Sequence, residues 1–234
     1  MTIASAWIRT IRDCEELLFV TDSRLSGDGR NFDACPKILT LPRTDCVIAF
    51  AGYTGHGYPM IHQLALAIDS HGPLRRGSLD LSALRSHALK IFDLLAGQIV
   101  SSPLVSQEAP TAPEADFLFG GYSWVKKRFQ LWSIRYRPAE RRFVAEPAQW
   151  FSYSEYTGEC VFRSKRERLN HRPIGQIAFA GDQAHAAKQK LSELLSRDPS
   201  RIPTKLDMEP FQIIRDMLRD ETLTTRKPSE ARRR

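Results

Sequence analysis

Residues 46–52 read CVIAFAG, and residues 53–70 follow as YTGHGYPMIHQLALAIDS. The first run is apolar at consecutive positions, so both faces of a strand there are apolar, as in a strand buried between two layers. The period then changes. Ile61, Leu64, Ala65 and Ile68 fall on one helical stripe. A strand covered on both sides that leads straight into an amphipathic helix predicts a layered α+β domain, with a helical layer on at least one sheet.

Working backwards, IASAWIR (3–9) and ELLFVTD (16–22) read as strands joined by the polar turn TIRDCE. A loop rich in Gly, Asp and Asn, SGDGRNFD (26–33), precedes a third short strand, KILTL (37–41). Working forwards, SHGPLRRGS breaks the first helix. A second helix near 80–100 carries Leu81, Leu84, Ala88, Ile91, Phe92, Leu95 and Ile99 at three- and four-residue steps, with Asp80 or Ser78 as its cap. The Pro-rich linker SQEAPTAPEA (106–115) returns the chain to strands at 116–124, 128–136 and 141–150. Segment 151–173 is polar and basic and reads as a long loop. A strand at 174–182 and helices at about 183–197 and 207–219 complete the chain. Blocks of strands and paired helices, rather than strict alternation, argue against a parallel βαβ sheet. The expectation is a four-layer αββα sandwich: one domain over 1–222, with a shortened C-terminal strand region and a basic, disordered tail at 223–234.

Composition narrows the function classes. The chain of 234 residues is 42% hydrophobic and 26% charged, which is globular. No apolar run reaches the ~18 residues of a membrane span. The N-terminus has no basic n-region ahead of an apolar h-region, which points to a cytoplasmic protein. The four cysteines show no CxxC pair or zinc spacing and read as reduced thiols. The net charge of +7 is concentrated in 163–172 and 226–234, each with five Lys/Arg against one Glu. The body is near neutral, so the basic pI does not point to nucleic acid. The six scattered histidines form no HExxH or other ligand spacing, so no metal or cofactor is expected. GDG (27–29) lacks the rest of a calcium loop, and GYTGHG (52–57) lacks the Lys-Ser/Thr of a P-loop.

Chemistry-bearing residues fall at strand ends. Thr2 heads the first strand, Asp22-Ser23-Arg24 ends the second, Lys37 begins the third and Ala49-Phe50-Ala51-Gly52 ends the fourth. In a twisted antiparallel sheet these positions can converge on one end of the sandwich. This set, in this order, resembles the N-terminal nucleophile hydrolases, specifically the β-type subunits of proteasomes and their bacterial relatives, the HslV protease and the Anbu proteins. The resemblance covers residues 2–70 well and 174–220 loosely. It implies that Thr2, freed by removal of Met1, is the nucleophile, with Asp22 and Lys37 as catalytic partners. It implies a supporting role for Arg24, and oxyanion-hole amides near Ala49 and Gly52. The turn Ala180-Gly181-Asp182 stands where the family has a Gly-Ser-Gly-like turn. Asp182 there either supports the site or caps the helix that follows. The final strands of the family have no convincing counterpart after the fourth helix.

These residue types suit the chemistry. A threonine hydroxyl is a weak nucleophile at neutral pH, and a free α-amine, with an ordinary pKa of ~8, can take its proton. A neighbouring lysine ammonium disfavours protonation of that amine and stabilises developing negative charge. The resemblance therefore implies a Thr-dependent peptidase acting on peptides or unfolded protein, assembled as a ring or stacked homo-oligomer. An ATPase partner is found for some members and is not identifiable here. A non-catalytic proteasome-like assembly subunit and an N-terminal nucleophile amidase acting on a small amide stand as alternatives.

Overall fold

The computed structural model describes residues 2–27, 30–101, 112–163, 171–197 and 202–220. The tail at 223–234, the end of the expected domain and most of the basic segment 163–172 lie outside them. Two five-stranded antiparallel sheets form the centre. The first contains β1 (Ala4–Ile11), β2 (Cys14–Thr21), β10 (Gln149–Ser154), β11 (Glu159–Arg163) and β12 (Arg172–Ala180), in the order β11-β10-β12-β1-β2. The second contains β5 (Ile38–Thr40), β6 (Cys46–Gly52), β7 (Ala115–Ser123), β8 (Arg128–Arg137) and β9 (Arg142–Pro147), in sequential order.

Strand alternation distributes the apolar residues among three interior spaces. On β6, Ile48 and Phe50 face helices α1 (Thr54–Ser70) and α3 (Leu81–Ser101), packing with Leu64, Ile68, Leu84 and Phe92. On β1 and β12, Ile3, Trp7, Ile177 and Phe179 face α4 (Ala184–Ser196) and α5 (Glu209–Arg219), packing with Leu191, Ile214 and Met217. Between the sheets lie Ala4, Ala6, Ala49, Ala51, Ala178 and Ala180, with Leu118 and Leu131. The layers therefore run helices, sheet, sheet, helices. Each fully buried Leu, Ile or Phe in the outer spaces contributes about 1.5–3 kcal/mol of transfer free energy, whereas the alanine seam mainly lets the two sheets approach closely.

Three details of the sequence reading are corrected. The loop at 26–33 carries part of a small hairpin, β3 (Leu25–Gly27) with β4 (Arg30–Phe32), and Leu25 is paired with Phe32. The expected strand at 141–150 divides into β9 and β10, which belong to different sheets. The segment read as a long loop, 151–173, instead completes β10, forms β11 and opens β12. Its polar residues hide an alternation in which Phe151 and Cys160 enter the core on the α4 side. A one-turn helix, α2 (Gly72–Arg75), occupies the expected break between α1 and α3.

Candidate active site

Because β1 lies between β12 and β2, Thr2 is bracketed by residues from both neighbours at the start of the strand. On the β2 side, the Ile3 N–H donates to Asp22 Oδ1 at 2.9 Å, and the Asp22 N–H donates back to the Ile3 carbonyl at 3.0 Å. The other oxygen of Asp22 accepts from Lys37 Nζ at 2.6 Å. Lys37 Nζ also donates to the Arg24 carbonyl at 2.7 Å. The Asp22 and Lys37 side chains are each 1% exposed. Burying two charges costs several kcal/mol per ion before their attraction is counted, so the pair depends on these extra hydrogen bonds.

Lys37 is fixed from two further directions. The Phe50 N–H donates to the Lys37 carbonyl at 3.0 Å, joining the start of β5 to β6. The Tyr58 hydroxyl of α1 donates to the preceding carbonyl, that of Pro36, at 2.6 Å, with the Cys35 thiol beside it. Burial, followed by the contact with Cys35, pushes the Tyr58 phenol up to about 12, so it remains a donor at neutral pH.

On the β12 side, the Thr2 N–H donates to Asp182 Oδ1 at 2.6 Å. Gly181 makes this approach possible. Its φ is +98°, and a Cβ there would stand 2.2 Å from the Thr2 carbonyl oxygen. Only glycine fits on both counts. Of the two readings of Asp182, contact with the Thr2 N–H is the one observed, and Gln183 stands at the N-cap of α4.

The structure thus brings Thr2, Asp22, Lys37, Gly181 and Asp182 together, along with the carbonyl of Arg24. The Arg24 guanidinium points elsewhere. It grips Asp33 at 2.6 and 3.0 Å, and the hydrogen bond and charge of Asp33 raise its pKa further. Ala49 lies inside β6 with its side chain in the alanine seam and register partners on both sides, Ile38 and Leu118. Since the Phe50 N–H turns to β5, the two-residue period turns the Ala49 N–H to β7. Gly52 ends the strand with φ +123° and leaves 2.3 Å between a would-be Cβ and the Glu114 carbonyl. Its N–H belongs to the same edge of β6 as that of Phe50.

Two residues near the site are absent from the sequence reading: Asp116 of β7 and Arg135 of β8. Asp116 is the register partner of Ala51 and reaches the Gly181 backbone. The detectable sign in the sequence is a carboxylate in phase with Leu118, on the inner face of an otherwise apolar strand.

No protein-family model matches the chain, and no curated protein matches it. Among solved structures, it is similar to a chain of the helical assembly of the Anbu complex from Pseudomonas aeruginosa. The TM-score is 0.56 at 16% sequence identity, over 95% of this chain and 76% of that one. At that identity the likeness is one of fold: an α+β sandwich of two antiparallel sheets with flanking helices. Among the described residues, no helix is long and apolar enough to cross a membrane.

Proposed function

We propose that the chain is a threonine-type amide hydrolase, with Thr2 as nucleophile once Met1 is removed. The observation that carries this reading is the double engagement of Asp22. One carboxylate oxygen holds the amide next to Thr2, and the other holds the buried Lys37 ammonium. That arrangement supports the reading, because a fixed cation near the start of β1 suits an N-terminal nucleophile.

The steps follow from these groups. The free amine of Thr2 accepts the Oγ1 proton, and Oγ1 attacks the scissile carbonyl carbon. The oxyanion is stabilised by the Lys37 charge and by the Gly52 N–H at the open edge of β6. The leaving amine takes the proton, an acyl ester remains on Thr2, and water hydrolyses it with the same amine as base. Lys37 lowers the affinity of the amine for protons, whereas Asp182 raises it and orients it. Peptides or unfolded protein are the proposed substrates, and self-assembly is proposed from the assembled state of the Anbu neighbour.

Covalent trapping tests the catalytic reading. The protein is incubated with a β-lactone or peptide epoxyketone, and the adduct is mapped after intact-mass analysis. Expected are loss of Met1, one adduct on Thr2 and no adduct in Thr2→Ala. Retained Met1, or processed and folded protein without an adduct, overturns this reading in favour of a non-catalytic assembly subunit.

A further inference from the structure

We infer that Asp116 is a positioning residue, whose carboxylate, set beside Arg135 between the two sheets, fixes the Gly181-Asp182 turn against Thr2. Its catalytic half rests on the reading of Thr2 as nucleophile, whereas the clamp itself does not.

Four observations meet here. The Gly181 backbone favours the ionised Asp116 carboxyl, which sets the turn after β12 beside a strand of the second sheet. Arg135 Nε lies 3.5 Å from Asp116 Oδ2, and Arg135 Nη2 donates to the Phe179 carbonyl at 2.9 Å, two residues before the turn. Arg135 thus holds one end of the segment 179–181, and Asp116, paired with Arg135, stands beside the other. A Cβ built on Gly181 would lie 3.0 Å from Ala51 Cβ, and Ala51 is the register partner of Asp116. The turn therefore has β6 against one side and the Thr2 carbonyl against another. The next residue, Asp182, accepts the Thr2 N–H.

The charges agree with a clamp. Burial pushes the Asp116 carboxyl up, opposed by the Arg135 charge and the Gly181 N–H. The groups facing it are Arg135 from β8, the Gly181 backbone from the turn after β12 and the apolar Ala51 from β6. A half-buried carboxylate with these partners is costly unless it does a structural job, and the only backbone it reaches among these contacts is the turn that touches Thr2.

The consequence concerns the amine. Asp182 beside it favours the protonated form. If the clamp is released, Asp182 withdraws, the amine loses protons more readily, and its geometry loosens. Asp116→Ala, Asp116→Asn and Asp182→Ala are compared by hydrogen exchange of the Gly181 amide and by the pH profile of Thr2 labelling with a β-lactone. In Asp116→Ala we expect exchange at Gly181 to quicken at least tenfold and maximal labelling to fall about tenfold. The acid limb should move to lower pH, as in Asp182→Ala. Asp116→Asn, which keeps an acceptor for the Gly181 N–H, should recover most of the loss. A general loss of stability would slow labelling without moving the acid limb. Unchanged exchange at Gly181 overturns the clamp. Faster exchange with an unmoved acid limb overturns its catalytic role. Wild-type protein that takes no label overturns the nucleophile reading instead, and the exchange measurement still judges the clamp.

Discussion

At the scale of single residues, Lys37 and Arg24 take opposite directions from the same carboxylate. Both are basic residues at strand ends near Asp22, yet Lys37 is sealed against it and Arg24 turns outward to Asp33. Removing one partner of a buried ion pair leaves the other charged and unsolvated, at a cost of about 3–5 kcal/mol. Lys37→Ala should lower unfolding free energy by that order in a urea titration and abolish Thr2 labelling under conditions where the variant is still folded. A loss under about 1 kcal/mol, the scale of an exposed pair, would contradict the burial described. The proximity of Thr2, Asp22 and Lys37 was legible because they lie within forty residues, next to the ends of β1, β2 and β5. Asp182 was only half legible, since its contact with Thr2 spans 180 positions. Asp116 was not, because nothing local reveals that the register of β6 and β7 aims it at the Gly181 turn.

At the scale of elements, the start of α3 shows a carboxylate used for architecture. Asp80 accepts hydrogen bonds from the Ser82 N–H and hydroxyl and from the Ser123 hydroxyl of β7. It thus caps α3 and ties it to the second sheet. Burial works to raise its pKa, but these hydrogen bonds outweigh burial and hold it down, from the ordinary 3.8 to about 2. A carboxylate with a depressed folded pKa contributes stability that is present above its unfolded pKa and is lost as pH falls through the folded one. Between about pH 4 and pH 2 the wild type should therefore lose melting temperature more steeply than Asp80→Asn, which caps without titrating. Parallel melting curves across that window would refute the assignment. The cap was visible in the sequence as an Asp just ahead of a helical period, whereas its bond to Ser123 was not. The strand residues within 151–163 were not readable for a related reason. β10 buries the polar Ser152 and Ser154 opposite Phe151, and the exposed turn residues Glu155 and Tyr156 follow directly, so no apolar alternation shows in the sequence.

At the scale of the molecule, the sheets meet largely through alanines, with Leu118 and Leu131 among them, and most of the bulky side chains lie in the outer spaces. This distribution was not readable from a strand such as CVIAFAG, whose two faces are equally apolar. The difference between Ile48-Phe50 and Ala49-Ala51 acquires meaning only when the partners of each face are known. The outer helices are incompletely covered: Leu66 of α1 and Leu94 of α3 are 64% and 70% exposed. If the chain assembles with itself, as its Anbu neighbour does, such positions will be covered in solution. Sedimentation at roughly 10 μM, above the Kd of a stable assembly, should give a mass that is a multiple of 26.6 kDa. A monomer at that concentration would rule out stable self-association.

The place of Thr2 in the sheet also governs how the protein must be produced. Its nitrogen sits 2.6 Å from Asp182, with Gly181 against its carbonyl. On the proposed reading of Thr2 as nucleophile, an affinity handle fused ahead of it would replace the amine by an amide, and preparations made that way would look inert. Purification handles belong at the other end of the chain, and the processing of Met1 in the expression host becomes part of the assay.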